Sequence, residues 1–293
     1  MDWELFFQQL VSGISIGAIY SLLAVGYALV YSVYNFTNWA FDGLMAFGAF
    51  AAFTGIASLL MPFWIALVVS ILLTVAISVG TEITSYRPLR ERKAPRLFMM
   101  ISAMGINMAV VNALNLIYGG TFRKFPYGDV NPFFIGSVSI GRMDLAAGLI
   151  SFAVLALLWL FLYRTRLGLG VLASSVDITT ASLMGINNNA VAVTIFAITG
   201  ILSAVAGVFY GMKYAVYPTM GVITIKAMIA SIVGGLGSLP AAIVGSMLLG
   251  ITETLVAGYL SSTYRDMFSF AFLIVILLFL PNGLMGKSAE EKL

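Results

Sequence analysis

The chain has 293 residues, of which 61% are hydrophobic and 9% charged, with a formal net charge of +3. Soluble domains carry about 25% charged residues and are roughly half apolar, so this composition belongs to a chain solvated largely by lipid. Cysteine and histidine are both absent, which excludes disulfides, thiol nucleophiles, imidazole bases and the usual zinc sites.

In chain order, apolar runs of helix length predict spans at about 5–32, 38–59, 62–85, 97–118, 145–163, 191–212, 238–258 and 267–281, with a shorter glycine-rich segment near 220–236. The expected fold class is all-α: a polytopic membrane helical bundle of about eight or nine spans, with broken or re-entrant segments and an inverted repeat. Residues 1–293 read as a single transmembrane domain. The short alternating segments of a membrane β-barrel do not occur. The opening MDWELFFQQL has no basic residue, so it does not read as a cleaved signal, and the first span is expected to stay.

Basic residues in short loops set the orientation. Arg87, Arg90, Arg92, Lys93 and Arg96 stand against Glu91 alone, which places that loop in the cytoplasm. The connection 119–144 then lies outside, and the stretch of about 165–190 returns to the cytoplasm. The N-terminus is outside if 38–59 crosses fully and inside if that segment is re-entrant. The C-terminal GKSAEEKL is assigned to the cytoplasm. The positive charge clusters beside spans and gives no nucleic-acid signal. Gly13, Gly17 and Ser21 in the first span, and Gly200, Ser203 and Gly207 in a later one, are small residues of the kind that let helices pack closely in lipid.

Ionisable residues within apolar segments are Asp42, Glu82, Lys213, Lys226 and Glu253. Glu82 and Lys213 lie near span ends, where snorkelling or pairing explains them. Asp42, Lys226 and Glu253 lie deeper, where a charge costs several kcal/mol and faces a bundle interior, a partner or water. No two of these residues make a catalytic spacing, so no catalytic residue and no metal site is assigned. PNGLMGKS at 281–288 approximates a phosphate-binding loop, but Pro281 replaces the first glycine and no strand precedes it. Any use of ATP therefore falls to other chains, and no cofactor is expected in this one.

Two segments are interrupted by helix-breaking residues. One holds Asn38, Asp42, Gly43 and Gly48; the other holds Lys226, Ser231, Gly234, Gly235, Gly237, Ser238 and Pro240. Breaks of this kind frame the central path of transporters built from inverted repeats, because free backbone groups at bilayer depth must be buried in protein or line a cavity. The substrate-path candidates are accordingly Asn38, Asp42, Gly43, Gly48, Lys226, Ser231, Gly234 and Gly235. A plain loop between spans is the competing explanation. In the cytoplasmic connection, Asp177, Thr179 and Thr180 read as a helix start and Gly185 as its stop. This short helix suits docking into a groove on a cytoplasmic partner, or lying at the membrane interface.

From about Gly13 to Gly286 the chain resembles the permease subunits of branched-chain amino acid ABC importers. The resemblance rests on GISIGAIYSLLAVGYALVYSV, YRPLRERKAPRLFMMISAMGINMAVVN, ASLMGINNNAVAVTIFAITGILSAVAGVFYG, IVGGLGSLPAAIVGSMLLGITE and LPNGLMG, in that order. It implies a bacterial or archaeal cytoplasmic (inner) membrane location and a homologous second permease subunit. It also implies two cytoplasmic ATPase subunits, an extracytoplasmic solute-binding protein and a small-molecule substrate, with the lipid bilayer around them. Asp177–Ile186 would be the ATPase-coupling helix, with Asp177, Thr179, Ala181, Met184, Gly185 and Ile186 as its residues, and with Ala181 and Gly185 allowing close approach. Two departures bear on the substrate. Where the family reads Asn-Phe-Ala-His-Gly-Glu, this chain has Phe41, Asp42 and Gly43 at the last three positions, and Leu169–Gly170 stand where Arg-Ala is usual. Urea, short amides or another small zwitterion are the alternative substrates. A self-sufficient channel or secondary carrier is the alternative of a different class; an intramembrane enzyme or a structural membrane subunit is a further one, and the missing His and Cys and the lack of an acid pair argue against the enzyme.

Overall fold

The computed structural model describes residues 3–126, 133–135, 138–235, 237–280 and 283–285. In chain order the helices are α1 (Trp3–Tyr34), α2 (Phe41–Ala57), α3 (Phe63–Thr81), α4 (Arg87–Glu91), α5 (Arg96–Tyr118), α6 (Arg142–Arg164), α7 (Arg166–Val176), α8 (Ile178–Leu183), α9 (Asn188–Lys213), α10 (Ile223–Gly234), α11 (Leu239–Tyr259) and α12 (Arg265–Phe279). A wide π turn, Glu82–Tyr86, joins α3 to α4, and a 3₁₀ turn, Met220–Val222, precedes α10. The helical expectation holds apart from two three-residue strands, β1 (Phe133–Ile135) and β2 (Val138–Ile140), paired antiparallel with Phe133 opposite Ile140. The phosphate-loop resemblance, with Pro281 and Gly286–Ser288, lies outside the described residues, as does the tail beyond it.

Among the described residues, seven helical runs are long and apolar enough to cross a membrane. They are Trp3–Tyr34, Phe63–Glu91, Arg96–Tyr118, Arg142–Arg164, Asn188–Lys213, Leu239–Tyr259 and Ser262–Phe279. Helix α2 has 17 residues and α10 has 12, shorter than the roughly 20 that cross a typical bilayer without adjustment. Apolar side chains such as Leu72, Leu116, Leu149, Trp159 and Leu278 are exposed, the surface expected of helices whose solvent is hydrocarbon.

The chain divides into two compact units: Met1–Ala28 with Tyr127–Ala153 and Thr224–Leu293, and Leu29–Pro126 with Val154–Ile223. In the second unit α2, α3 and α9 pack against one another, and α5 packs on α2. The contacts run through glycine. A Cβ on Gly48 would lie 2.7 Å from the Ala204 Cα, and one on Gly200 would lie 2.9 Å from the Val75 Cα. One on Gly207 would strike the Met45 carbonyl. Serines reinforce the same seams: Ser70 Oγ donates to the Gly48 carbonyl at 2.6 Å and Ser78 Oγ to the Phe196 carbonyl at 2.6 Å. In the first unit, Gly250 meets Gly17 so closely that a Cβ would sit 2.5 Å from the Gly17 Cα. The small residues read from the sequence are therefore helix-packing residues, as lipid solvation requires.

Replacing Gly250 by leucine forces α1 from α11, and overpacking of this kind costs about 1–3 kcal/mol. The melting temperature of the purified protein in detergent is expected to fall. Gly105→Ala, at a position where nothing outside its own stretch of helix backbone lies within 4 Å of the added Cβ, is expected to leave it in place.

Candidate functional site

Helix α8 is defined by its two ends. Asp177 Oδ1 accepts from the Thr179 N–H at 2.7 Å and the Thr180 N–H at 2.9 Å, a side-chain N-cap. The hydrogen bonds from Thr180 and Thr179 hold its carboxyl below the ordinary value near 3.8. A lowered pKa means that the cap is charged and intact at neutral pH and is lost only as pH falls through that lowered value. At the other end the Ile186 N–H donates to the Ala181 carbonyl at 3.1 Å and the Gly185 N–H to the Ser182 carbonyl at 3.0 Å. Gly185 adopts φ +89°, completing a Schellman-type stop that favours glycine.

The exposed face differs from the expected one. Ala181 is 5% exposed and faces its own chain, whereas Leu183 and Met184 are each 82% exposed. Ala181 thus packs within its own chain, and the apolar surface offered outward is Leu183–Met184. Thr179 and Gly185 are also exposed, and Ile186 is half-buried. The departure at Gly170 is harmless sterically, because a Cβ there would sit 3.6 Å from the Ile186 Cγ2, an ordinary contact.

In the second unit the segment 38–48 is not broken at its glycines. The interruption is the loop 35–40, opened by Asn35 at φ +52°, and α2 then runs continuously from Phe41 through Gly43 and Gly48. Both glycines persist in the helix because neighbours occupy their Cβ positions: Asn107 and Val110 of α5 beside Gly43, Ala204 and Thr74 beside Gly48. Asn38 is buried, its Oδ1 accepting from the Ala40 N–H at 3.0 Å and from the Tyr86 hydroxyl at 2.9 Å. It pins the loop to the π turn. Asp42 lies in the first turn of α2, where the helix dipole favours an anion, and its Oδ2 accepts from Asn107 Nδ2 at 3.1 Å. Glu82 is buried and paired: Arg90 Nη2 reaches its Oε1 at 2.7 Å, and the same nitrogen donates to Asn189 Oδ1 at 2.9 Å.

The first unit holds Lys226, Ser231, Gly234 and Gly235 on and just after α10. Here the break is real. Helix α10 stops at Gly234, Gly235 and Gly237 take φ of +131° and +86°, and α11 restarts with Pro240 in its first turn. The carbonyls freed at the end of α10 are satisfied by the returning chain: the Leu284 N–H donates to Val233 at 2.8 Å and the Met285 N–H to Gly234 at 2.9 Å. Ser231 is buried. Lys226 is clamped: its Nζ lies 2.6 Å from both Glu253 Oε1 of α11 and Asp266 Oδ1 of α12. Arg265 also pairs with Glu253, and the Tyr20 hydroxyl donates to Glu253 Oε2 at 2.8 Å. Glu253 is 1% exposed, so its charge is compensated entirely by protein. Among the described residues no group of three acidic, cysteine or histidine side chains is placed to hold a metal ion. An apolar cavity of about 600 Å³ between α6, α7 and α9, lined by residues such as Leu158, Phe161 and Leu202, contains none of the path candidates.

The family described as branched-chain amino acid transport system, permease component, matches residues 9–277. The chain belongs to this permease family. It is 34% identical to the Escherichia coli high-affinity branched-chain amino acid permease LivH over 98% of this chain and 97% of the relative. It is 35% identical to Pseudomonas aeruginosa BraD over 98% of each, and 28% identical to a probable LivH of Methanocaldococcus jannaschii over 90% and 88%. Among solved structures, PsaBC from Streptococcus pneumoniae in complex with Fab covers 94% of this chain and 91% of its own, with TM-score 0.54 and 14% identity, a likeness of fold. The protein is a multi-pass membrane permease.

Sequence reasoning did not find Asn107, Arg90 or the pair Arg265–Asp266 as partners. Asn107 carried a signal, an amide within an apolar span; Tyr20 carried none. For the permease's ion cluster, Glu253→Gln removes the charge that Lys226 and Arg265 share, and breaking a buried pair from one side costs about 3–5 kcal/mol. Asp266 is 70% exposed, and Asp266→Asn is expected to cost about 1 kcal/mol or less. Thermal unfolding in detergent separates the two.

Proposed function

We propose that this chain lines the translocation path of an ATP-driven importer for branched-chain or other hydrophobic amino acids in the cytoplasmic membrane. It acts with a homologous second permease subunit, two cytoplasmic ATPase subunits and an extracytoplasmic solute-binding protein, and it carries no ATPase site of its own. The observation that carries this reading is the family match across residues 9–277, joined to curated branched-chain amino acid permeases that align with it nearly end to end.

In this reading α8 is the coupling helix. Its support is local: a capped six-residue helix whose outward side chains, Leu183 and Met184, are large, apolar and almost uncovered. Such a knob fits a groove on an ATPase subunit and transmits closure as a push on the neighbouring helices. Counting the short helices α2 and α10 as crossings gives nine, the odd number that places the N-terminus outside and the C-terminus in the cytoplasm when the basic loop 87–96 is cytoplasmic. The breaks before α2 and after α10 are the candidate halves of an inverted repeat. A small zwitterion other than a branched-chain amino acid is the second reading, favoured by Asp42 at a position where the resembling family carries glycine.

The test is reconstitution of the assembled complex in liposomes with its binding protein and internal ATP, followed by uptake of labelled leucine, isoleucine and valine. ATP-dependent uptake of at least one is expected, and uptake by this chain alone would instead establish a self-sufficient carrier. Leu183→Asp combined with Met184→Asp is expected to cut ATP-driven uptake at least tenfold. The chain should still insert, because both side chains point away from their own subunit.

A further inference from the structure

Three predicted path residues keep a buried polar atom without a hydrogen-bond partner among the described residues, Asn38 Nδ2, Ser231 Oγ and Asp42 Oδ1, and Asp42 is the acid among them. Its Oδ2 is held by Asn107, but its Oδ1 and the Asn107 Oδ1 are both buried without a hydrogen-bond partner among the described residues. Two buried acceptors on one hydrogen-bonded pair of side chains, one of them a carboxylate oxygen, are expensive to desolvate and call for a donor or a cation. Neither Lys nor Arg supplies it: among the described residues no ion pair to Asp42 occurs, whereas Glu82 and Glu253 each have two. The element covering Asp42 is the 3₁₀ turn Met220–Val222, which packs on α2. Its central residue, Gly221, lies so close that a Cβ would fall on the Asp42 carboxylate and 2.6 Å from the Asp42 Cα. Gly221 has an ordinary negative φ, since it is not among the glycines in the left-handed region. Glycine is therefore required here by the close approach rather than by the backbone angle. Only a residue without a side chain can seat the turn on the acid.

We infer that Asp42 and Asn107 form a binding point for a primary ammonium group, and that the Met220–Val222 turn is the plug that closes over it. The ammonium has the missing chemistry: three N–H donors and a positive charge, matching one carboxylate oxygen and one amide oxygen. In the structure described here the turn is seated and Asp42 Oδ1 is shielded, so the ammonium reaches it only after the turn withdraws. This deepens the transport reading by naming the part of the solute that the path recognises. It rests on that reading only for the idea that α2 lines a path.

The natural absence of cysteine permits a test that does not depend on uptake. Val222 is 58% exposed at the edge of the turn, and Val222→Cys gives this chain a single thiol, read on this subunit after it is separated from its partners. Its labelling is measured with a cationic and an anionic methanethiosulfonate reagent, at rest and during ATP hydrolysis, with and without Asp42→Asn. At rest, with the turn seated, the cationic-to-anionic rate ratio is expected to be within about twofold of that of the Asp42→Asn version. During turnover it should rise about tenfold in the protein that keeps Asp42 and not in the other. Gly221→Ala, which cannot seat the turn, should show the high ratio at rest. Millimolar butylammonium should slow labelling of the open form severalfold, and butanol should not. Equal ratios with and without Asp42 in every state, including Gly221→Ala, would overturn the ammonium site; a high ratio at rest with Gly221 intact would overturn the plug. Because none of these readouts uses branched-chain amino acids, failure of leucine uptake with a positive labelling result rejects the substrate assignment alone.

Discussion

Where α2 crosses α9, the two backbones come within van der Waals reach because Gly48 and Gly207 have no side chains. Everything in the second unit is arranged around that approach. In lipid there is no hydrophobic gain in bringing helices together, since the acyl chains are as apolar as leucine. Association rests on dispersion contacts and on serine hydroxyls that reach a neighbouring carbonyl, and both need short distances. The glycines at 48, 200 and 207 provide the distance; Ser70 and Ser78 use it. The same principle joins α1 to α11 at Gly17 and Gly250 in the first unit.

Close packing also explains how the chain tolerates charge at depth. Glu253 is held by Lys226, Arg265 and the Tyr20 hydroxyl, and Glu82 by Arg90. Each has partners on other turns or helices, so the charge is neutralised before it meets hydrocarbon. Lys226, which by sequence resembles a group facing a solute, is thereby occupied with α11 and α12. Asp42 is treated differently. It has an amide on one oxygen and a glycine backbone pressed against the other, and that contrast within one chain is what singles it out.

The helices themselves were legible from composition and apolar run length, and so was the capped turn at Asp177–Gly185, because capping depends on residues two to three apart. The break after Gly234 was equally legible, with three glycines and a proline in seven residues. The break placed at Gly43 and Gly48 was not. Glycine in a membrane helix has two uses, interruption and close approach, and sequence shows only that it is glycine. The neighbours Val110, Thr74 and Ala204, all distant in the chain, decide between them.

The sequence by itself determined the solvent of the chain, the order of its apolar helices and the family to which it belongs. These follow from local composition and from spacing along one helix. Tertiary structure alone decided which charges are spent on one another, which face of α8 is offered outward and what lies on Asp42. Most of these facts depend on side chains brought together from 27 to more than 200 positions apart, as in Lys226 with Glu253 and Tyr20 with Glu253. No local pattern records a meeting of that kind.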